Sequence, residues 1–196
     1  MEHETVTDMK NVRIVDTTAN PATLGLLAFG MTTILLNLHN AGLFAMGSAI
    51  FAMGIFFGGI AQIIAGIMEW KKNNTFGMLA FIAYGFFWIS LIGMIVMPGF
   101  GWGAEFSNAA FVYFLMLWGL FSLVMFIITF RLPRSLQVVF GLVVILFALL
   151  IIGNATGNVN VLRIAGIEGI ICGLAAMYTS LGQVMNEVFK EPVISL

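Results

Sequence analysis

The chain has 196 residues, of which 61% are hydrophobic and only 9% are charged. This composition is far from that of a soluble globular domain. With a formal net charge of -1 and only 8 Lys and Arg residues, the chain lacks the basic surface that nucleic-acid binding needs. Its single cysteine, Cys172, lies in an apolar run, so we expect neither a disulfide nor a thiolate metal cluster. The composition therefore excludes soluble enzymes and nucleic-acid binders, and it predicts an all-α polytopic membrane protein in contact with membrane lipid.

The N-terminal segment is polar. Residues 1–19 mix both signs of charge and contain no apolar run of the kind that a cleavable signal peptide needs. We expect a cytoplasmic tail over residues 1–19, a transmembrane domain over 20–189 and a short cytoplasmic tail over 190–196. The first apolar run then directs membrane insertion itself.

Apolar runs recur along the rest of the chain. A hydrocarbon core about 30 Å thick needs roughly 20 mostly apolar residues per spanning helix, and the sequence supplies such a run six times. Six short helices enclose only a narrow central pathway in each subunit, which favours a small permeant. The predicted helices are Ala22–Leu38, Phe44–Met68, Thr75–Met97, Ala109–Phe130, Leu136–Ile152 and Val161–Phe189.

The first predicted helix opens on a capping pattern. Asn20 has the residue type of an N-cap, Pro21 suits the first helical position, and Ala22 is a strong helix former. If this helix begins within the membrane, its free backbone N–H groups and its dipole also form an anion site that suits a carboxylate. Both interpretations stay open, and Asn20, Pro21 and Ala22 are candidate substrate-binding residues.

Polar side chains continue along the first helix. Thr32, Thr33 and Asn37 place hydroxyls and an amide near the middle of the membrane and beyond it. A helical threonine often bonds back to the preceding turn, so each hydroxyl is either structural or a ligand for the substrate. His39, at the helix end, is either structural or part of a proton relay.

Small residues form stripes on two predicted helices. The second helix has Gly54, Gly58 and Gly66 at four-residue spacing with Gln62 among them, and the sixth helix repeats the pattern over residues 165–180. In lipid such stripes allow close approach, so they predict packing seams between helices or subunits, or else the lining of a pore. Gln62 separates the two interpretations, because an amide in hydrocarbon needs a partner or water.

One acidic residue, Glu168, lies inside a predicted span. A carboxylate there is expensive unless it is protonated or paired, so it marks a functional or assembly site. Arg163 is a candidate partner, although a spacing of five is poor for a pair on one helix. Whether Glu168 is proton-linked or structural stays open. Glu69 and Glu187, at helix ends, are expected to be solvated.

The distribution of basic residues predicts the orientation. With the N-terminus inside, only Arg163 of the 8 Lys and Arg residues lies outside, and the others are cytoplasmic. This asymmetry supports an even number of spans, with both termini on the cytoplasmic side of a cell, or inner, membrane.

Signatures of catalysis and of metal binding are missing from the sequence. It contains no His-Glu-x-x-His, Gly-x-Ser-x-Gly or Gly-x-x-x-x-Gly-Lys motif, and one of its 2 histidines, His3, lies in the tail. We therefore expect no enzyme activity, no metal site and no cofactor.

Three stretches carry a family resemblance. Residues 20–26 read Asn-Pro-Ala-Thr-Leu-Gly-Leu, and residues 29–40 read Phe-Gly-Met-Thr-Thr-Ile-Leu-Leu-Asn-Leu-His-Asn. A second block covers residues 58–66 and 74–77, and a third covers 147–154. Together they resemble the signature of the acetate uptake transporter family, the YaaH-type succinate-acetate permeases.

The resemblance covers residues 20–189 and implies six helices per subunit, a homohexamer, and passage of acetate, with succinate or other small carboxylates as further substrates. It also implies a constriction made by aromatic residues of helices 1 and 3 and an aliphatic residue of helix 5, which match Phe29, Tyr84 and Val143. Two positions depart from the family pattern. Thr23 replaces the second proline of the Asn-Pro-Ala-Pro motif, and Val143 stands where a leucine is common, which would widen the constriction.

We therefore expect proton-linked transport of acetate through each subunit. In this interpretation the start of helix 1 attracts the anion, the polar groups of Thr32, Thr33, Asn37 and Gln62 replace its water, and the apolar constriction gates by dewetting. A passive channel for small anions or solutes with the same fold is the alternative. A non-transporting assembly or sensor protein is a third hypothesis.

Overall fold

Six long helices make up the chain in the computed structural model, which describes residues 17–104 and 107–196. Each helix is long and apolar enough to cross a membrane. Within the described residues there is no strand. The predicted all-α fold with six transmembrane helices is confirmed. The helices are α1, Ala22–Asn40; α2, Ser48–Lys71; α3, Thr75–Phe100; α4, Asn108–Thr129; α5, Arg134–Thr156; and α6, Val159–Phe189.

Several predicted boundaries were wrong by a few residues. Helix α2 begins at Ser48 and not at Phe44, because Gly47 before it has extended backbone, with φ -164° and ψ -176°. Helix α5 continues beyond Ile152, since the polar residues that looked like a turn are satisfied within the helix. Asn154 Nδ2 donates to the Leu150 carbonyl at 2.8 Å, and the helix ends only where Gly157 adopts φ +64°.

The helices form a closed ring in the order of the sequence. Helix α1 packs most extensively against α6 and also contacts α2, while α2 packs on α3, α4 on α5, and α5 on α6. Helices α3 and α4 meet through large side chains, such as Phe87 and Phe114, whose ring centroids are 5.6 Å apart. The axis of the ring is lined mainly by α1, α3 and α5.

The stripes of small residues lie between helices of the same subunit. A Cβ placed on Gly173 of α6 would lie 2.6 Å from the Gly30 carbonyl oxygen of α1, so the two backbones touch. On α2, a Cβ on Gly58 would lie 2.8 Å from Thr32 Cγ2, and one on Gly54 would lie 2.7 Å from Ile92. The glycines are therefore packing residues, as the seam interpretation predicted.

Helix α2 is not a regular α-helix throughout. Its segment Met53–Ala61 is π-helical, and the α-helical turns resume at Gln62. Stretches of π-helix are rare and recur at functional sites, because the wider turn changes where the following side chains point. Here the segment directly precedes a buried amide.

The two ends of the bundle differ in charge. Because the helices alternate in direction, Lys71, Arg131 and Lys190 lie at the end where α1 begins, whereas Arg163 lies at the other end. The predicted N-terminal tail lies outside the described residues up to residue 16. At the C-terminus the predicted tail 190–196 folds back along α6.

This C-terminal return is held by hydrogen bonds. Asn186 Nδ2 donates to the Ile194 carbonyl and Asn186 Oδ1 accepts from the Ile194 N–H, each at 2.8 Å. Tyr178 Oη donates to the Ser195 carbonyl at 3.1 Å. The last residues are therefore an ordered strap on the outer face of α6.

Candidate functional site

Three cavities follow one another along the axis of the ring. The vestibule, of about 410 Å³, lies at the end where α1 finishes and is lined by His39, Asn40 and Asn154 among apolar side chains. Next comes the Thr33 cavity, of about 40 Å³. The Gln62 cavity, of about 20 Å³, lies closest to the start of α1. The two inner cavities have room for only a few water molecules.

A ring of three side chains separates the two inner cavities. Phe29, Tyr84 and Val143 line both the Thr33 cavity and the Gln62 cavity, and all three are buried. The ring centroids of Phe29 and Tyr84 are 5.8 Å apart. The three residues that the resemblance pointed to thus meet on the axis, although their role as a gate stays a prediction.

Tyr84 is the fixed member of this inner ring. Its Oη lies 2.8 Å from Ser122 Oγ, and Ser122 Oγ in turn donates to the Trp118 carbonyl at 2.7 Å. Since a serine hydroxyl has one hydrogen, Tyr84 is the donor to Ser122. Val143 has a stiff, β-branched side chain. Phe29 is therefore the member of the ring that is held neither by a hydrogen bond nor by β-branching.

A second apolar ring lies one step toward the vestibule. Leu36, Phe87 and Leu150 line both the vestibule and the Thr33 cavity. They come from α1, α3 and α5, the same helices that supply the inner ring. Nothing in the sequence analysis pointed to this outer ring, because the residues are ordinary apolar residues that only the fold brings together.

Three side chains that line the inner cavities each carry a buried polar atom without a hydrogen-bond partner among the described residues. Thr33 Oγ1 and Trp88 Nε1 belong to side chains that line the Thr33 cavity, and Gln62 Oε1 belongs to one that lines the Gln62 cavity. A buried polar group without a partner costs about 1–3 kcal/mol. These three side chains are therefore the candidates among the lining residues to bond water or a permeating molecule.

Asn37 and Thr32 are less available to a substrate. Asn37 lines the Thr33 cavity, but its Nδ2 donates to the Thr33 carbonyl at 2.9 Å and its Oδ1 accepts from Asn40 at 3.0 Å. Thr32 is directed at α2, where its hydroxyl lies 3.5 Å from the Met53 carbonyl. Of the polar residues predicted to replace the substrate's water, the structure brings Thr33, Asn37 and Gln62 to the axis and leaves Thr32 in a helix interface.

The start of α1 lies apart from the three cavities, none of which is lined by Asn20, Pro21 or Ala22. Asn20 Oδ1 accepts from the Ala22 N–H at 3.0 Å, as a cap does, and its Nδ2 donates to Gln183 of α6 at 3.0 Å. The capping interpretation accounts for these contacts. Anion binding by these residues stays a prediction.

Comparison with known proteins identifies the relatives of this chain. The model of the GPR1/FUN34/yaaH family matches residues 5–196. The chain belongs to the GPR1/FUN34/yaaH family. It is 52% identical over 179 residues to the succinate-acetate/proton symporter SatP of Escherichia coli (strain K12). The alignment covers 91% of this chain and 95% of that relative.

Two further relatives of this GPR1/FUN34/yaaH family member have a named activity or a solved structure. Acetate permease A of Emericella nidulans is 33% identical over 196 residues, covering 89% of this chain and 65% of the permease. The solved structure of the bacterial acetate channel SatP matches with a TM-score of 0.90 and 50% identity, covering 92% of this chain and 99% of that one. These relatives are transporters or channels and not enzymes.

Two acidic residues of this family member are buried in its helices. Glu168 has both carboxyl oxygens buried without a hydrogen-bond partner in the part of the chain that the structure describes, and it lines none of the three cavities. No hydrogen bond joins it to Arg163, so the pairing considered from the sequence is not seen. A proton-linked role for Glu168 stays a prediction.

The prediction that Glu69 is solvated is wrong, because its side chain is buried. Only 2% of its surface is exposed. Its Oε2 accepts from Asn74 Nδ2 at 2.7 Å, and Asn74 Oδ1 in turn accepts from the Gly77 N–H at 3.0 Å. The carboxylate thus holds the residue that caps α3. The acidic position and the cap were visible in the sequence, but their contact depends on the tight turn between α2 and α3.

Proposed function

We propose that this chain carries acetate, and other small carboxylates such as succinate, across a membrane through the axis of each subunit, in a proton-linked manner. The observation that carries the proposal is the inner ring, which closes a path between two cavities that each present an unpartnered polar atom. The names of the relatives, a succinate-acetate/proton symporter and an acetate permease, support the choice of substrate.

The chemistry of the two inner cavities suits a carboxylic acid. On one side of the inner ring, the Thr33 hydroxyl and the Trp88 indole N–H are hydrogen-bond donors that suit a carboxylate. On the other side, the Gln62 amide offers both a donor and an acceptor, so it can bond either the anion or the protonated acid. An apolar ring between them excludes water and gates by dewetting. Acetate suits this path because its methyl group tolerates the ring while few donors satisfy its carboxylate.

Uptake of labelled acetate into proteoliposomes tests the proposal. Protein-dependent uptake should be competed by succinate, and it should rise when the outside is made acidic. Vesicles without protein measure the undissociated acid that leaks through lipid, and this leak is subtracted. The absence of any protein-dependent flux would contradict the proposal and favour an assembly or sensor protein.

A passive channel is the second candidate, because the solved relative is described as an acetate channel. The accumulation of acetate inside vesicles distinguishes a proton-linked transporter from a passive channel. A proton-linked transporter raises internal acetate above equilibrium when a pH difference is imposed, whereas a passive channel only equilibrates the anion. Glu168 is the proposed proton-linked residue, and Glu168→Gln is expected to lower this accumulation while leaving passive acetate exchange in place.

The same proposal includes a cell-membrane location, cytoplasmic termini and assembly into a homohexamer. The basic residues at one end of the bundle support the orientation, and the family resemblance supports the hexamer. Since Cys172 is buried, single cysteines report sidedness cleanly. An impermeant maleimide should label Asn160→Cys from outside and Glu191→Cys only after permeabilisation. The mass of cross-linked oligomers in native membranes tests the hexamer.

A further inference from the structure

His39 lies at the end of α1 and lines the vestibule. Its Nδ1 is 2.8 Å from the carbonyl oxygen of Phe44, in the loop that follows α1. A carbonyl oxygen can only accept a hydrogen bond, so the hydrogen of the neutral ring must sit on Nδ1. The contact therefore fixes the tautomer and leaves the Nε2 lone pair free.

The free Nε2 has no hydrogen-bond partner among residues 17–104 and 107–196. Of the described side chains that line the vestibule, His39 alone is titratable; Asn40 and Asn154 are neutral amides, and the others are apolar. Asn154 Nδ2 already donates to the Leu150 carbonyl, and Asn40 Nδ2 already donates to Asn37. Within residues 17–104 and 107–196, the vestibule thus has one lining group whose charge can change, and its Nδ1 is held by the Phe44 carbonyl.

We propose that His39 is an acid-dependent capture site for small carboxylates at the mouth of the pathway. This inference rests on the proposed function and deepens it. When Nε2 takes a proton from the vestibule water, the imidazolium donates from Nε2 to the carboxylate and pairs with its charge. When the proton leaves, the Nε2 lone pair repels the carboxylate oxygen, and the carboxylate is released. Because the bound form carries one more proton than the empty form, a higher proton concentration in the vestibule favours the loaded site.

Two charged groups of α6, Arg163 and Glu168, lie near the vestibule end of the bundle. From α6, Arg163 Nε would lie 3.6 Å from a Cβ on Gly42, in the same loop as Phe44. Its charge is constant at all relevant pH values, so it adds a steady attraction for anions and no pH dependence. Glu168 lies further along α6 and does not line the vestibule. The side chain of Glu105 lies outside the described residues.

The variant His39→Asn removes the nitrogen that can take a proton but keeps a donor for the hydrogen bond to the Phe44 carbonyl. The asparagine amide can still donate to the Phe44 carbonyl from the position of Nδ1, while the titratable nitrogen is removed. We expect the KM for the acetate anion at external pH 5.5 to rise about two- to fivefold, the range typical of one solvated ion pair. At external pH 7.5 the KM should stay unchanged. His39→Gln, which places a neutral amide near Nε2, should show the same loss at acidic pH.

A spectroscopic readout is independent of transport. With His3→Gln as the background, His39 is the remaining histidine of the 2 in the chain, so ¹⁵N-histidine labelling in nanodiscs needs no assignment. We expect the neutral ring to show the Nδ1–H tautomer, and acetate to shift the Nε2 resonance at pH 5.5 but not at pH 7.5. The His3→Gln variant itself should transport like the parent chain.

The outcomes distinguish this inference from the proposed function. If the parent chain shows no acetate flux, the proposed function fails. If flux is present but His39→Asn and His39→Gln keep the parental KM at both pH values, the capture site is wrong. It is equally wrong if Glu168→Gln removes the pH dependence of the KM, or if the Nε2 resonance does not respond to acetate.

Discussion

The unpartnered polar atoms on the axis differ in kind on the two sides of the inner ring. Among the residues that line the Thr33 cavity, Thr33 has a hydroxyl that can donate or accept and Trp88 has an N–H that only donates, whereas Gln62 at the Gln62 cavity has an amide that can donate and accept. A carboxylate binds donors only, but a protonated acid needs an acceptor as well. Both sides of the inner ring therefore have a donor for the anion and an acceptor for the protonated acid, and the Trp88 N–H is a second donor on the side of the Thr33 cavity.

Phe29 is expected to set the width of the inner ring. Phe29→Ala removes one of the two aromatic side chains of the ring, so bulkier acids such as lactate should enter more readily relative to acetate. We expect the ratio of lactate to acetate uptake in proteoliposomes to increase several-fold. Phe86→Ala is the matched control, because Phe86 is 53% exposed on the outer face of α3 and should leave the ratio unchanged. An unaltered ratio in Phe29→Ala would count against the gate.

Val143 is expected to make this ring wider than a leucine would. Val143→Leu adds one methylene at a position that is 2% exposed, so it should narrow the ring and cost about 1–3 kcal/mol through overpacking. The ratio of lactate to acetate uptake should fall, with a smaller loss of acetate uptake. Val138→Leu, at an outward-facing position of α5, serves as the control. Equal behaviour of the two variants would show that Val143 does not limit passage.

The axial residues were predictable from the sequence to different degrees. Gln62 and Thr33 stood out because polar groups in hydrocarbon are expensive. Phe29, Tyr84 and Val143 came only from the family resemblance, since nothing in their local sequence distinguishes them from packing residues. Ser122, Trp88 and the outer ring were missed, because each acts through contacts between helices that are far apart in the sequence.

At the scale of helices, the apolar runs and basic breaks predicted six spans, whereas their ends were less predictable. Gly153 and Asn154 are residue types that often form turns. In a membrane, however, a backbone is more stable when its internal hydrogen bonds are complete, so the helix continues through them. The π-helical segment of α2 was also not predicted. Its glycines gave a regular four-residue pattern in the sequence, and only the packing against α1 and α3 shows the wider turn.

The contact between α1 and α6 links packing to the pathway. A Cβ on Gly169 of α6 would lie 2.2 Å from Asn37 Cγ, and Asn37 lines the Thr33 cavity. Gly169→Ala must therefore displace Asn37 or separate the two helices. We expect a loss of stability of about 1–3 kcal/mol and a marked fall in acetate uptake.

A second glycine supplies the control for this prediction. A Cβ on Gly93 of α3 would meet nothing nearer than 3.5 Å, so Gly93→Ala should be neutral or stabilising by up to about 1 kcal/mol. Thermal unfolding in detergent and acetate uptake compare the two variants. If Gly169→Ala melts at the same temperature as Gly93→Ala and transports normally, the α1–α6 seam is looser than the structure indicates.

For the whole molecule, the closed ring of helices makes the pathway a series of compartments. The odd-numbered helices supply the two apolar rings, and aromatic side chains fill the wider gap between α3 and α4. The inner ring lies between cavities of about 20 and 40 Å³, whereas the outer ring opens onto a vestibule of about 410 Å³. The inner ring should therefore present the larger resistance to a bulky solute.

If the two rings resist passage one after the other, the effects of Phe29→Ala and Leu150→Ala on lactate uptake should not be additive. Leu150→Ala alone should change lactate uptake little, because the inner ring still limits the flux. In the Phe29→Ala background the outer ring becomes limiting, so adding Leu150→Ala should raise lactate uptake further. Ile152→Ala, at a position of α5 that is 51% exposed, controls for general loosening of that helix. Initial rates of the parent chain, Phe29→Ala, Leu150→Ala and the double variant form a double-mutant cycle. If Leu150→Ala multiplied lactate uptake by the same factor in both backgrounds, the rings would share one barrier and the compartments would not act in series.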